Sequence, residues 1–591
     1  MTAPASPSFW SRDLILLVLL FAAFYGFRLG SYPLANPDEG RNAEIPREMV
    51  ASGDWVTPRL DGVNYFEKPP LVYWTVAGCL NVFGPNEWSV RAAPLLFALG
   101  GVLFTYAATR RIYGRSAGLA AALVLGTSLL YYALARFLIL DMAVSALMSA
   151  TLFCFILGVR EPPPAPGAGG WAARRRWWFY GLYASAALAT LTKGLMGFLV
   201  TGAVMFLWLL LFNQWKRLRP FYLPTGALLF LALAAPWHLL VSARNPTWFH
   251  RYVVYEHVER FMTPAAGRAG PWWYFIPIVL VGLFPWSGFL LAGGRSALRG
   301  GWTERNKNAD TLFFAVWAGF IFLFFSVSHS KLPPYILPVF PALAVLVGRW
   351  MAPSPDAGPL RLRGGVAFFS FFCGLLAAAL CAVVIWPGMI PAMQAMALKM
   401  AALCGIVIRP ALVHGLPAAQ ALALRSPAIA LTACLVAGGV AASWLARIRG
   451  ARATLGAMVA TIVLFGGILT FAAANIQRPG TKDLARFVQA HAGPSDRVLH
   501  YHEFFHDFPF YAGRLVDVVG FKGELELEED AAARASGRFL DEAAFRGLWL
   551  QPARVFVVAR KTDTQRLFAD STFTYHLLAQ SEDHYLFSNE P

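Results

Sequence analysis

The chain alternates between long apolar windows and short polar loops. Thirteen windows approach the roughly twenty residues that cross a bilayer core. They lie near 12–30, 88–108, 116–133, 137–158, 177–193, 195–213, 221–242, 272–294, 311–328, 335–350, 364–387, 426–446 and 453–474. A shorter window, 69–84, opens on proline and ends in glycine, and is read as a buried or re-entrant helix. Tyr25 and Arg28 stand where a cleaved leader needs small residues, so the first window reads as a retained span.

Basic loops alternate with loops of another kind. Arg110, Arg111 and Arg115, then Arg174 to Arg176, then Lys216, Arg217 and Arg219 mark the first three. Arg295 to Lys307, Arg361 with Arg363, and Arg447 to Arg452 mark the rest. All fall on one side if the N-terminus is cytoplasmic, as the positive-inside rule requires. An odd number of spans then places the C-terminus outside, together with residues 31–87, 243–271, 328–335 and 388–425. Residues 388–425, rich in Met, Ala and Leu with few charges, are expected to lie as amphipathic helix in the interface. The Pro/Gly/Ala run 161–171 reads as a cytoplasmic linker.

Past residue 475 the pattern shortens. Thr481 is expected to cap a helix through Ala490, followed by a strand at Arg497–Tyr501 and a helix over 504–512. A strand at Arg554–Val558, a helix over 562–569 and strands over 572–578 and 584–588 complete the prediction. The expected fold is an α-helical polytopic membrane domain over 1–475, with a catalytic first external loop at 31–87. A small α/β domain outside the membrane covers 476–591.

Composition agrees: 57% of residues are hydrophobic, 14% are charged, and mean hydropathy is +0.51. The net charge of +17 does not imply nucleic-acid binding, because the arginines sit in short loops as topology signals. The six cysteines show no metal-ligand spacing and none lies after residue 475, so they read as small core residues. No glycine-rich phosphate loop or internal repeat is present. Charges gather on one face instead of the bilayer midplane, which disfavours a lipid-linked-sugar transporter.

The polar residues that topology does not explain collect on the outer side. Asp38, Glu39 and Arg41 come first, then Glu67 and Lys68, Asp141, Glu256-His257, Glu259-Arg260, His329, Lys331, and His500, His502 and His506. An aspartate one turn into a span costs about 2.5 to 3.5 kcal/mol on insertion scales and needs a partner. Lys68, Arg260, Lys331 and Arg41 suit a phosphate or diphosphate. Glu67, His257 and one histidine of 500–506 suit a divalent metal such as zinc. Asp38 and Asp141 suit acid/base work, or the holding of an acceptor or amine. Each has a plainer alternative. Asp38 caps a helix starting near Arg41, Asp141 pairs with Arg136, Lys193 snorkels, and His257 and His329 are interfacial. His502 and His506 then pack among Phe504, Phe505 and Phe508.

Five ordered stretches resemble one family: Asp38-Glu39-Gly40-Arg41, Phe66-Glu67-Lys68-Pro69-Pro70, Leu191-Thr192-Lys193-Gly194, Glu256 to Phe261, and Ser330 to Tyr335. Together they resemble the GT-C polyprenyl-phosphate-dependent glycosyltransferases related to protein O-mannosyltransferases. The branch most like them is bacterial and includes the aminoarabinose transferases of lipid A. The resemblance implies an undecaprenyl-phosphate sugar donor and a lipid A acceptor, met at the outer face of the inner membrane. It implies Asp38 as leading catalytic carboxylate and Asp141 as the second, with Glu67 and His257 as metal ligands. His502 or His506 would be the third ligand. Lys68 and Arg260 would meet the donor phosphate and Tyr335 would close its pocket. A sister activity with another sugar, or with a protein or other glycolipid acceptor, shares all these features.

Overall fold

Residues 9–163, 174–259, 270–299, 302–352, 362–385, 425–476, 480–520, 523, 525 and 530–591 are described by a computed structural model. Every apolar window lies on helix, because backbone groups in lipid must find their partners within their own segment. The chain opens with α1 (Trp10–Gly26), α2 (Asp38–Ser52), a hairpin of β1 (Arg59–Leu60) and β2 (Val63–Asn64), and α3 (Leu71–Phe83). Then come α4 (Glu87–Tyr113), α5 (Arg115–Gly126), α6 (Leu129–Ala135), α7 (Asp141–Arg160), α8 (Arg174–Lys193), α9 (Met196–Phe212) and α10 (Leu223–Arg244). A π-helical turn, His250–Glu259, precedes α11 (Phe275–Gly282), α12 (Leu290–Ala297), α13 (Ala309–Val327) and α14 (Phe340–Met351). The last three membrane helices are α15 (Arg363–Ile385), α16 (Arg425–Ile448) and α17 (Gly450–Ile476).

The thirteen expected windows give helices of different length and polarity. Among the described residues eight helices are long and apolar enough to cross a membrane, or ten if each of two bent pairs is one span. The other three windows became α1 and α9, of seventeen residues each, and α8, whose first turn is Arg174-Arg175-Arg176. The 69–84 window is the thirteen-residue α3, packed on α2, α4 and α8. The linker 161–171 and the segment 388–425 lie almost wholly outside the described residues.

The two bent pairs meet at their breaks. The first bends by 66° between α5 and α6, the second by 107° between α11 and the stretch Ser287–Ala297. Trp286 donates its indole N–H to Thr127 Oγ1 at 2.9 Å, and the Leu129 amide donates to the Phe284 carbonyl at 3.2 Å. Tyr25 donates to the Gly126 carbonyl at 2.8 Å. Each break thus supplies partners for backbone groups freed by the other, the condition for irregular backbone at membrane depth.

After α17 the chain builds α18 (Lys482–His491), β3 (Arg497–Tyr501), α19 (Phe508–Ala512), β4 (Asp517–Val519), α20 (Ala531–Ala535) and β5 (Phe539–Leu540). It ends with α21 (Glu542–Trp549), β6 (Val555–Arg560), α22 (Gln565–Phe568), β7 (His576–Gln580) and β8 (His584–Ser588). The six strands form one sheet in the order β5-β4-β3-β6-β8-β7, with the first four mutually parallel and β8 antiparallel to both of its neighbours. β6 reads Val-Phe-Val-Val-Ala without alternation because both its faces are covered. One face, with Leu499, Val557 and Phe545, packs within the domain. The other, with Val498, Val518, Phe556 and Val558, shares a core with Leu34, Ala43, Ile45, Met49 and Tyr73 of the opening loop. Thr481 precedes α18 but does not cap it; its hydroxyl donates to Asp507 at 2.7 Å.

Candidate functional site

A buried ion pair sets the frame. Glu39 and Arg91 are wholly excluded from solvent, and the guanidinium meets both carboxylate oxygens at 2.8 and 2.6 Å. Arg91 also donates to the carbonyls of Leu29, Tyr32 and Pro33 at 2.9–3.0 Å and lies over the Tyr32 ring. Glu39 accepts the amides of Ala35 and Leu138, each at 3.0 Å. Asn42 donates to the Leu138 carbonyl at 3.1 Å. One fork-to-fork pair therefore ties the loop after α1, the first turn of α2, the face of α4 and the approach to α7. Asp38 adjoins Glu39, and Asp141 stands three residues beyond Leu138. Both candidate carboxylates are fixed by the same rivet.

Asp38 is the first residue of α2, with Pro37 at the cap position, so it does not cap a helix starting near Arg41. Its side chain is 51% exposed and accepts from Arg41 at 2.7 Å. Its charge also complements the positive end of the helix. Asp141 heads α7 and pairs with Lys193 of α8 at 2.5 Å. It does not pair with Arg136, which instead donates to the Tyr25 carbonyl and lies over the Tyr132 ring. Lys193 thus does not simply snorkel: its ammonium sits between Asp141 and the Tyr335 ring, 4.5 Å from the ring centre.

Lys68 donates to Glu256 at 2.8 Å, and its ammonium is 3.9 Å from Glu67. This contact brings the π-helical turn that carries His257 to the opening loop. Lys331, four residues before Tyr335, is buried and donates to the carbonyls of Gly270 and Ser328 at 2.9 and 2.7 Å. Among the described residues no carboxylate pairs with it, and burial pulls its pKa below the ordinary lysine value. A cation held by neutral carbonyls suits an incoming anion. Arg260 and the side chain of His257 lie outside the described residues.

The two candidate histidines stand in different settings. His502 has a left-handed backbone (φ 58°), stacks on Tyr501 and faces Glu542 at 3.5 Å, all within the C-terminal domain. His506 is buried beside Phe504 and lies against the motif of the opening loop. A Cβ on Gly40 would come within 2.7 Å of the His506 carbonyl carbon and 2.5 Å of the Asp507 amide. Glycine is needed there for close approach of two backbones. No three His, Cys, Asp or Glu side chains among the described residues come together as a metal site.

The domain grips the loop at further points. Asn36 pairs with Asp507, and the Leu34 amide donates to Tyr511 at 2.8 Å. Asp61, wholly buried, accepts the Val516 amide at 2.9 Å and faces Arg538 at 3.3 Å. Glu48 accepts the amides of Asp61 and Gly62 at 2.5 and 2.9 Å, and Glu44 holds Arg47. Burial raises all three carboxyls above the usual range, Asp61 to about 8.

Residues 67–239 match the family described as dolichyl-phosphate-mannose-protein mannosyltransferase. The chain is 33% identical over 351 residues to an undecaprenyl phosphate-alpha-4-amino-4-deoxy-L-arabinose arabinosyl transferase of Edwardsiella ictaluri. That match covers 59% of this chain and 61% of the relative. A namesake from Pectobacterium atrosepticum is 35% identical over 63% of this chain and 66% of its own length. The chain thus matches just under two thirds of these relatives. Its structure superposes on ArnT from Cupriavidus metallidurans, bound to undecaprenyl phosphate, with a TM-score of 0.83 and 28% identity over 98% of both chains. The chain shares the GT-C fold with that solved structure over nearly its whole length. An oligosaccharyltransferase of Archaeoglobus fulgidus shares the fold alone, with a TM-score of 0.50 at 12% identity over 94% of this chain and 70% of its own.

In this GT-C chain, sequence reasoning left Lys193 and Arg91 off the list of site residues. Lys193 had a signal: a lysine inside an apolar run, level with an unpaired aspartate on a neighbouring span. Arg91 had one too, a lone arginine a few residues into a window read as a span.

Proposed function

We propose that the protein transfers 4-amino-4-deoxy-L-arabinose from undecaprenyl phosphate to a phosphate of lipid A, at the outer face of the bacterial inner membrane. The observation that carries this reading is the Asp141–Lys193–Tyr335 cluster, together with the buried Lys331, which pairs with no carboxylate among the described residues. Support also comes from the full-length likeness to a transferase bound to undecaprenyl phosphate. The topology with loop 31–87 and the C-terminal domain outside belongs to the same proposal.

In the transfer, an oxygen of the acceptor phosphate attacks the anomeric carbon. The bond from that carbon to the donor phosphate oxygen breaks, and undecaprenyl phosphate leaves with the electron pair. Negative charge grows on the departing phosphate while positive charge grows on the ring. Lys193, Lys331 and Lys68, with Arg41 and Arg260, would stabilise the first by fixed charge at low reorganisation cost. Tyr335, whose ring lies against the Lys193 ammonium, would wall the donor site. The acceptor phosphate is already a nucleophile, so Asp38 need not remove a proton. Its half-exposed carboxylate, heading a helix pinned by Glu39, would hold the sugar amine or steady the ring. Asp141 would keep Lys193 charged and aimed until the donor arrives. No step is routed through a metal.

The test is transfer itself. Purified protein, lipid A and undecaprenyl-phosphate aminoarabinose are incubated and the lipid is weighed by mass spectrometry for the added sugar. Asp38→Asn and Asp141→Asn should each abolish the gain while the protein stays folded. Full transfer by Asp38→Asn would remove that residue from the reaction. Transfer to a protein, or only of a different sugar, would overturn the substrate assignment.

A further inference from the structure

A groove of about 710 Å³ runs between α1, α16 and α17, within the roughly 300–1,000 Å³ of ligand sites. Its lining is apolar: Ala23, Phe27, Ala430, Leu464 and Phe471 are among its walls. Adjacent glycines of α17 play opposite parts. A Cβ on Gly466 would meet Phe24 at 2.9 Å and Tyr132 at 3.1 Å, whereas one on Gly467 would meet nothing within 4 Å. Gly466 closes the packing behind the groove, and Gly467 opens onto it.

The groove backs on the catalytic side of the protein. Phe24 in its wall stacks on Tyr132 of α6 at 4.3 Å, and Tyr132 bonds to Thr470 at 2.7 Å. The same helix packs against the Pro333–Val339 turn that carries Tyr335. Four residues past Tyr132, Arg136 begins the short run to Asp141. Helix α6 therefore touches both the groove wall and the turn that carries Tyr335.

The groove's mouth is cationic. Arg28 follows α1 with a left-handed backbone (φ 51°), uncommon for a non-glycine residue, and its guanidinium lies 4.9 Å over the Phe471 ring. Arg425 is exposed at the head of α16, next to the lining residues Ser426 and Pro427. Among the described residues neither arginine pairs with a carboxylate. Lipid tails are as apolar as leucine, so greasy walls alone do not choose between lipids. Choice falls to the headgroup, and guanidinium forks favour phosphate. We infer that the groove seats an acyl chain of the phosphorylated acceptor lipid, with Arg28 and Arg425 on its headgroup phosphates. This inference rests on the reading of lipid A as acceptor, and it names how that lipid is held.

Two measurements test it independently of each other. The full-length protein with a photoreactive benzophenone amino acid at Ala430 is placed in phosphatidylethanolamine–phosphatidylglycerol vesicles, with and without bis-phosphorylated lipid A. Illumination should yield a lipid A adduct by mass, weakened by Arg28→Gln with Arg425→Gln. Adducts with phospholipid alone when lipid A is present would overturn the inference. Separately, Gly467→Phe should raise the apparent KM for lipid A by about tenfold or more, with kcat and the KM for the sugar donor unchanged. An unchanged acceptor KM, or an equal shift for the donor, would overturn it. A lipid A adduct in a protein that transfers no aminoarabinose would leave the groove standing and remove the proposed activity. Transfer without any adduct would do the reverse.

Discussion

Arg91→Met should cost this protein more than any substitution at the exposed carboxylates. Arg91 makes two bonds to Glu39 and three to the carbonyls of Leu29, Tyr32 and Pro33, and both side chains of the pair are at 0% exposure. Methionine fills much of the volume but leaves the Glu39 carboxylate with only the Ala35 and Leu138 amides. Breaking a buried pair by removing one partner costs about 3–5 kcal/mol, because the remaining charge stays desolvated. That is a large share of the roughly 5–15 kcal/mol by which folded domains are stable. Arg91→Lys keeps the charge but cannot make the fork, and should fall between. The diagnostic variant is Arg91→Met with Glu39→Gln. With no lone charge left it should recover part of the loss, giving a favourable coupling in a double-mutant cycle. Thermal unfolding of the detergent-solubilised protein, followed by tryptophan fluorescence, reads stability; sugar transfer reads the geometry of Asp38 and Asp141. A single variant that melts with the wild type, or a double variant no better than the single, would refute the rivet.

Lys193→Met should lower transfer by roughly 10²–10³-fold, the scale for removing one group aimed at developing charge, and should also lower the melting temperature, because the mostly buried Asp141 loses its partner. Asp61 gives a pH prediction. Its folded pKa of about 8 lies above the ordinary 3.8, so between those values the folded state holds a proton that the unfolded state has released. Stability therefore falls as pH rises from about 4 to 8, by up to about 1.4 kcal/mol per pH unit for one proton. Glu44 and Glu48 act in the same direction, and Asp61→Asn should flatten the melting curve against pH. Gly40→Ala drives a methyl into the Asp507 amide at 2.5 Å and should cost about 1–3 kcal/mol, read as increased proteolysis between the loop and the C-terminal domain. If Glu67 and His257 hold a divalent ion with a third ligand from the C-terminal domain, metal analysis should show loss in one of His502→Ala and His506→Ala and retention in the other.

What the sequence made legible follows from which interactions are local. A helix in lipid must satisfy its own backbone, so every window near twenty apolar residues could be read without its neighbours. Strands Arg497–Tyr501 and 584–588 were legible because their apolar runs are bounded by polar turns. β4 and β5, three and two residues long, carry too few positions for any period to show. The helices after Asp530 and Asp541 were missed although both aspartates cap them, accepting the Ala533 and Ala544 amides at 3.0 and 2.7 Å. Partner choice was the least legible feature. Asp141 had Arg136 five residues away and Lys193 fifty-two residues away. Only the packing of α7 on α8 decides for the lysine, and the kink after α6 turns the arginine back to Tyr25.

The loop of residues 31–87 is too small to build its own interior, and the C-terminal domain supplies the missing cover. Residues 31–87 bury Glu44, Glu48 and Asp61, carboxyls that water would otherwise solvate far better. They stay buried because the sheet face with Val498, Val518, Phe556 and Val558 covers the loop's apolar side. The Val516 amide and Arg538 then meet Asp61 from above. The loop in turn covers a face that would leave the sheet open to solvent. Below, Glu39 and Arg91 fasten the same loop to α4 and to the approach of α7. Asp38 is therefore held between a roof and a floor, while its own carboxylate stays half open. A rigid support with one exposed charge is what the proposed transfer would need to meet a lipid-borne sugar at a fixed height.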